Sequence, residues 1–115
     1  MEAQGITHIL SLGVQAVSAP STLVDQMFVD VDDHELAEIH PHLDSIIAFI
    51  ERGMSHPSGK VLVHCLAGSS RSGSSVIAYL MKTNQLGYFE ALRMVQAKRR
   101  SVRPNLGFGK QLIKY

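Results

Sequence analysis

The 115-residue sequence predicts an α/β fold with a mostly parallel central sheet flanked by helices. Three short apolar, β-branched segments alternate with longer stretches in which apolar residues recur every three or four positions, the pattern of strands connected through helices. Hydrophobic residues make up 45% of the chain and charged residues 18%, which is typical of a globular protein. At this length we expect residues 1–115 to form a single domain.

Three strands are predicted, at residues 6–10, 27–31 and 60–64, from runs rich in Ile, Val and Phe. The first ends in the region of Gly13, and a turn-forming Ser-Ala-Pro-Ser segment at 18–21 precedes the second. The third strand has no polar alternation through its middle, so we expect it to be covered on both faces.

Four helices are predicted, at residues 41–54, 72–82 and 88–99 and from residue 104 onwards. Pro41 suits the first turn of a helix, because its missing N–H has no partner to lose there. The apolar stripe of this helix consists of Leu43, Ile46, Ile47, Ile50 and Met54. The second helix is apolar on most sides and is expected to be central. The third is amphipathic through Phe89 and Leu92. In the last helix, Phe108 and Leu112 are expected to point towards the core.

The charge balance excludes several classes of partner. Eleven basic and ten acidic residues give a net charge of +1, which offers no field for general nucleic-acid or membrane binding. No apolar run is long enough to cross a bilayer, and the first residues lack the pattern of a secretory signal. We therefore predict a soluble protein of a reducing compartment, cytoplasmic or nuclear, in which the single cysteine, Cys65, is either a core thiol or a reactive one.

The segment that begins at Cys65 is the most informative part of the sequence. It places a cysteine at the carboxyl end of a predicted strand, followed by a loop of small residues, Arg71 and a helix, and ligands of α/β sheets bind at such strand ends. The backbone amides of the loop and the amino end of the helix form a site for an anion. In such settings the pKa of a cysteine falls from about 8.5 to roughly 3.5–7.5, which produces a thiolate nucleophile.

The same donors fit a phosphoryl group. The predicted phosphate-binding residues are Leu66, Ala67, Gly68, Ser69, Ser70 and Arg71. Gly68 permits the backbone conformation that such a loop requires, and the guanidinium of Arg71 offers two parallel hydrogen bonds to the phosphate oxygens. We find no His, Cys and carboxylate set typical of a metal site and predict neither metal nor cofactor.

The phrase His64-Cys65-Leu66-Ala67-Gly68-Ser69-Ser70-Arg71-Ser72 resembles the signature of the cysteine-dependent protein tyrosine phosphatases, and of their dual-specificity branch in particular. The likeness continues through residues 5–10, 77–82, 90–92 and 104–108, so it covers nearly the whole chain. The resemblance implies a protein tyrosine phosphatase-like fold. It also implies hydrolysis of phosphotyrosine and of phosphoserine or phosphothreonine in protein substrates, through a cysteinyl-phosphate intermediate.

The resemblance also assigns roles. Cys65 is the nucleophile, Arg71 and the loop amides hold the phosphate oxygens, and Ser72 donates a hydrogen bond to the sulfur. His64 orders the loop, and Asn105 caps the last helix and braces the loop. The general acid lies on the loop after the second strand; the family's spacing falls on Asp33, with Asp32 as the alternative and Asp30 less favoured.

Three other functions remain open. A phosphoinositide or RNA 5′ phosphatase would use the same scaffold, although the neutral loop residues disfavour the extra charge of those substrates. A catalytically weak phospho-binding pseudophosphatase usually lacks the cysteine or the arginine, and both are present here. An arsenate reductase normally needs a second, resolving thiol.

Members of this family usually carry a strand pair and a helix before the first strand, so the resemblance makes this an N-terminally shortened domain. A sheet without those strands has an uncovered edge, and an uncovered edge pairs with other chains. We therefore expect self-association.

Overall fold

The computed structural model describes residues 5–13, 20–66 and 70–115. The described part contains strands β1 (His8–Leu12), β2 (Asp25–Val29) and β3 (Val61–Cys65) and helices α1 (Leu43–Ser55), α2 (Arg71–Thr83), α3 (Tyr88–Lys98) and α4 (Leu106–Lys114). A short 3-10 turn at His40–His42, which contains Pro41, leads into α1. The predicted α/β architecture is confirmed.

The strands form a parallel sheet in the order β2-β1-β3. Leu12 at the end of β1 pairs with Val29 on one side and with Cys65 on the other, so the carboxyl ends of all three strands meet at one edge of the sheet. β1 is buried along its whole length because it has a neighbour on each side. The expectation that the third strand is covered on both faces was wrong: β3 is only half-buried, since it lies at the edge of the described sheet.

Helix α1 buries most of the predicted stripe, including Leu43, Ile46 and Ile47. Met54 is an exception and is 56% exposed. The last turn of α1 instead turns Gly53 towards the sheet, where the helix approaches His8 and Val61 so closely that a side chain at this position would clash.

Helix α2 is central, as predicted, and contacts β1, β3 and the other three helices. Its buried surface differs from the expectation. The residues buried at its amino end are small or polar, namely Arg71, Ser72, Gly73, Ser74 and Ser75, whereas Val76, Leu80 and Met81 are only half-buried. Polar residues at this end of the helix indicate a site rather than a packing surface.

In α3 the buried residue is Ala91, and Phe89 is 62% exposed, which corrects the predicted stripe. The Phe89 ring packs against that of Tyr88 at a centroid distance of 5.1 Å. In α4 Phe108 and Leu112 are fully buried, as predicted. No helix in the described ranges is long and apolar enough to span a membrane.

Candidate active site

Cys65 is the last residue of β3, and its sulfur lies at the amino end of α2. The backbone amide of Ser72 donates to Sγ at 3.4 Å, and the Ser72 hydroxyl oxygen is also 3.4 Å from the sulfur. When the thiol ionises, that hydroxyl turns from acceptor to donor. Two donors and the positive end of the helix dipole therefore converge on the sulfur, and all three favour the thiolate.

Arg71 is the first residue of α2 and is only 9% exposed. Its Nη1 donates to the backbone carbonyl of Val31 at 3.2 Å. Its Nε is buried and has no hydrogen-bond partner among the residues that the structure describes. A buried donor without a partner costs about 1–3 kcal/mol, so this edge of the guanidinium favours a bound anion.

Gly13 and Val31 were not predicted to belong to the site. Gly13 has φ +70°, and a Cβ at this position would overlap Arg71 Nη1 and approach the Val31 carbonyl oxygen to 2.7 Å. The close passage of the Arg71 side chain therefore requires glycine here. The sequence showed Gly13 only as the end of a strand, because its contact with Arg71 spans 58 positions.

His64 precedes the cysteine, and its Nε2 forms a hydrogen bond with the Ser11 hydroxyl at 2.7 Å. Burial lowers the pKa of His64 from its usual 6.5, so the ring is neutral at pH 7. Ser11 on β1 is a further residue of this region that was not predicted from the sequence. It is a small polar residue in an otherwise apolar strand, and that irregularity was the available signal.

Asn105 connects the segment after β2 with the end of the predicted phosphate-binding loop. Its Oδ1 accepts from the amide of Phe108 and caps α4, its Nδ2 donates to Asp33 Oδ1, and its backbone N–H donates to Ser70 Oγ, each at 2.9 Å. Of the three carboxylates considered as general acid, only that of Asp33 has a hydrogen-bond partner in the described part of the chain. All three carboxylates are exposed, so burial does not distinguish them.

The middle of the predicted loop, Ala67, Gly68 and Ser69, lies outside the described residues. Leu66 at its start is 74% exposed, whereas Ser70 at its end is buried. Within the ranges 5–13, 20–66 and 70–115 there is no cluster of three or more His, Cys, Asp or Glu side chains that could hold a metal ion.

The whole chain, residues 1–115, matches the family described as the dual specificity phosphatase catalytic domain. Dual specificity protein phosphatase MPK-4 of Drosophila melanogaster is 41% identical over 112 residues, which cover 93% of this chain and 28% of that protein. Dual specificity protein phosphatase 14 of Mus musculus is 37% identical over 115 residues, which cover 100% of this chain and 58% of that protein. The chain thus spans less than two thirds of either curated relative.

Solved structures show the same fold. The crystal structure of the human tyrosine phosphatase-like serine/threonine/tyrosine-interacting protein aligns with a TM-score of 0.88 at 34% identity, over 98% of this chain and 79% of that one. The expectation of a protein tyrosine phosphatase-like fold is confirmed. The chain belongs to the family of dual specificity phosphatase catalytic domains.

Proposed function

We propose that this chain hydrolyses phosphomonoesters of phosphotyrosine, phosphoserine and phosphothreonine in protein substrates, with Cys65 as the nucleophile. The observation that carries the proposal is the position of the Cys65 sulfur. It lies at the amino end of α2, beside the amide and the hydroxyl of Ser72. The buried Nε of the adjacent Arg71, which has no hydrogen-bond partner among the described residues, supports an anionic substrate at the same place.

In the first step the Cys65 thiolate attacks phosphorus in line with the leaving oxygen. The S–P bond forms, the P–O bond breaks, and Asp33 gives its proton to the leaving oxygen. Arg71 and the loop amides hold the equatorial oxygens, and because these dipoles are oriented before the reaction, they stabilise the developing charge efficiently. The product is a cysteinyl phosphate and a free hydroxyl group.

In the second step water attacks phosphorus and gives a proton to the Asp33 carboxylate. The S–P bond breaks, inorganic phosphate leaves, and the electron pair returns to sulfur. The Ser72 hydroxyl, 3.4 Å from the sulfur, stabilises the departing thiolate. His64 and Asn105 hold the loop from its two sides, through Ser11 and Ser70.

Asp33 is preferred over Asp32 as the general acid because of its link to the loop. The chain of hydrogen bonds from Asp33 through Asn105 to Ser70 ties the carboxylate to the residue that precedes Arg71. Asp32 has no such bond in the described part of the chain.

Hydrolysis of small aryl phosphates tests this assignment. Cys65→Ser is expected to lower kcat roughly 10³-fold or more, because the hydroxyl does not ionise at neutral pH. Asp33→Asn is expected to lower kcat about 10²–10⁴-fold for phenyl phosphate and less for p-nitrophenyl phosphate, whose leaving group needs no proton. The matched control, Asp32→Asn, retains activity.

Each result has a contrary outcome. A Cys65→Ser protein with the wild-type rate contradicts the mechanism. If Asp32→Asn reproduces the loss and Asp33→Asn does not, only the identity of the acid changes. A wild-type protein that binds phosphopeptides without turnover favours the alternative, a phospho-binding module; the similar human protein is described by its name as an interacting protein.

We further propose that residues 1–115 act as one domain in a reducing compartment, because oxidation would destroy a thiolate nucleophile. The neutral side chain of Leu66 favours protein phosphates over more highly charged phosphoinositides or RNA 5′ ends. For self-association we propose the outer edge of β3, which has no neighbouring strand among the described residues. A largely apolar groove of about 310 Å³ adjoins it, and Val63 of β3 and Leu80 of α2 line this groove.

A further inference from the structure

A buried hydroxyl on β1 is bonded to the residue that precedes the proposed nucleophile. Ser11 on β1 is 2% exposed and pairs in register with His64, and its neighbour Leu12 pairs with Cys65. The Ser11 Oγ is 2.7 Å from His64 Nε2. The central strand of the sheet therefore contacts the residue before Cys65 through one side-chain hydrogen bond.

The surroundings determine the direction of this bond. The Ser11 hydroxyl has one proton to donate, and the described residues offer its side chain no acceptor other than His64 Nε2. Because the ring is buried enough to be neutral at pH 7, one of its nitrogens accepts and the other carries the proton. Donation by Ser11 makes Nε2 the acceptor and leaves the proton on Nδ1.

We propose that Ser11 is a positioning residue of this site, whose hydroxyl holds the ring of His64, the residue before the nucleophile, in one orientation and one tautomer. The inference rests on the proposed function for the role of Cys65. Without the hydroxyl, the ring is free to rotate and to exchange tautomers. The end of β3 from which Cys65 projects then loses its His64–Ser11 bond to β1, so the sulfur is held less precisely against its donors on α2, and the thiolate is less favoured.

The other side chains of the proposed site lie on elements other than β1. Arg71 and Ser72 belong to α2, and Asp33 belongs to the segment after β2 and is held by Asn105. A change in Cys65 ionisation that follows removal of the Ser11 hydroxyl therefore reports on the His64 ring.

Alkylation of Cys65 by iodoacetamide across a range of pH provides the test, and since the chain has one cysteine, the signal is unambiguous. We expect Ser11→Ala to raise the midpoint by roughly 0.5–1 unit, which lowers the alkylation rate about three- to tenfold on the acidic side. Ser11→Thr keeps the hydroxyl and a strand-compatible side chain and is expected to restore the wild-type profile.

Thr7→Val is the matched control. Thr7 Oγ1 is 2.8 Å from His8 Nδ1, so this substitution also removes a buried hydroxyl–imidazole bond, but at the opposite end of the same sheet. It is expected to leave the alkylation midpoint unchanged even where it lowers stability. An equal shift in Thr7→Val and Ser11→Ala would overturn the inference, because general loosening of the strand would then explain both.

The ¹⁵N chemical shifts of His64 test the inference without any substitution. An unprotonated Nε2 and a protonated Nδ1 are expected, and a protonated Nε2 would contradict the assignment. Neither measurement needs turnover. An inactive wild-type protein with a Ser11-dependent midpoint would refute the proposed function alone, and an active one with an unchanged Ser11→Ala midpoint would refute this inference alone.

Discussion

Ser72 contributes two different groups to the same sulfur, its amide and its hydroxyl. The amide position depends only on the backbone of the first turn of α2, whereas the hydroxyl depends on the side chain. Ser72→Ala thus removes one donor and leaves the other. Of the groups that favour ionisation of the thiol, the Ser72 amide and the helix dipole both belong to the backbone. A short loop followed directly by a helix is therefore sufficient to supply them.

His64 links the site to pH-dependent stability. Its pKa is lowered by burial, so the folded state favours the neutral ring, whereas the unfolded chain takes up a proton near pH 6.5. The stabilising contribution is therefore present above about pH 6.5 and is lost as the pH falls through that value towards the lower pKa of the folded state.

We accordingly expect the free energy of unfolding of the wild type to fall more steeply than that of His64→Gln between about pH 7.5 and 5.5. Urea titrations at several pH values measure this difference. The comparison with a single variant cancels the contributions of the other five histidines of the chain. Parallel curves would show that His64 is equally easy to protonate in both states.

The elements bring distant parts of the chain to one end of the sheet. The parallel register places the ends of β1 and β3 side by side, and α2 begins where the loop after β3 ends. Helix α4 contributes its cap, Asn105, to the same region. The Asn105 side chain thus caps α4 and contacts the proposed acid, and its backbone N–H donates to Ser70 at the end of the loop.

Two substitutions of Asn105 separate these tasks. Asn105→Ala removes the cap and the bond to Asp33, and we expect it to lower both kcat and, by about 0.5–2 kcal/mol, the free energy of unfolding. Asn105→Asp retains a cap acceptor but faces Asp33 with a second carboxylate, so kcat should fall with little loss of stability. Equal stability losses in both variants, with unchanged kcat, would show that Asn105 acts only as a cap.

The local parts of the site were predictable from sequence, and the distant parts were not. Cys65, Arg71 and Ser72 lie within eight consecutive positions, so their geometry follows from one strand, one loop and one helix. Ser11, Gly13 and the Val31 carbonyl reach the site through sheet pairing, which no local pattern reports. The same cause explains the strand boundaries: β1 runs to Leu12 rather than to Leu10, because its partners β2 and β3 extend that far.

In the described part of the chain, the sheet has two open edges, one along β2 and one along β3. They differ in their surroundings, since the apolar groove lined by Val63, Val76 and Leu80 adjoins β3. An edge strand beside an apolar surface is a template for pairing with another chain. The proposed self-association is accordingly assigned to β3.

We expect sedimentation to show concentration-dependent association that Leu62→Lys on β3 weakens, because a charge on an edge strand opposes pairing. Phe28→Lys, at an exposed position of β2, is the control for the other edge and should leave association unchanged. A monodisperse wild-type monomer at high concentration would contradict the proposal. If Phe28→Lys weakened association and Leu62→Lys did not, the contact would be assigned to β2 instead.

Trapping the covalent intermediate shows whether Cys65 is phosphorylated during turnover. During hydrolysis of an aryl phosphate the protein is quenched rapidly, digested and examined by mass spectrometry. One added phosphate is expected on the peptide that contains Cys65, and none is expected in Cys65→Ser at the same time points. Full turnover without phosphate on that peptide would contradict a cysteinyl-phosphate mechanism.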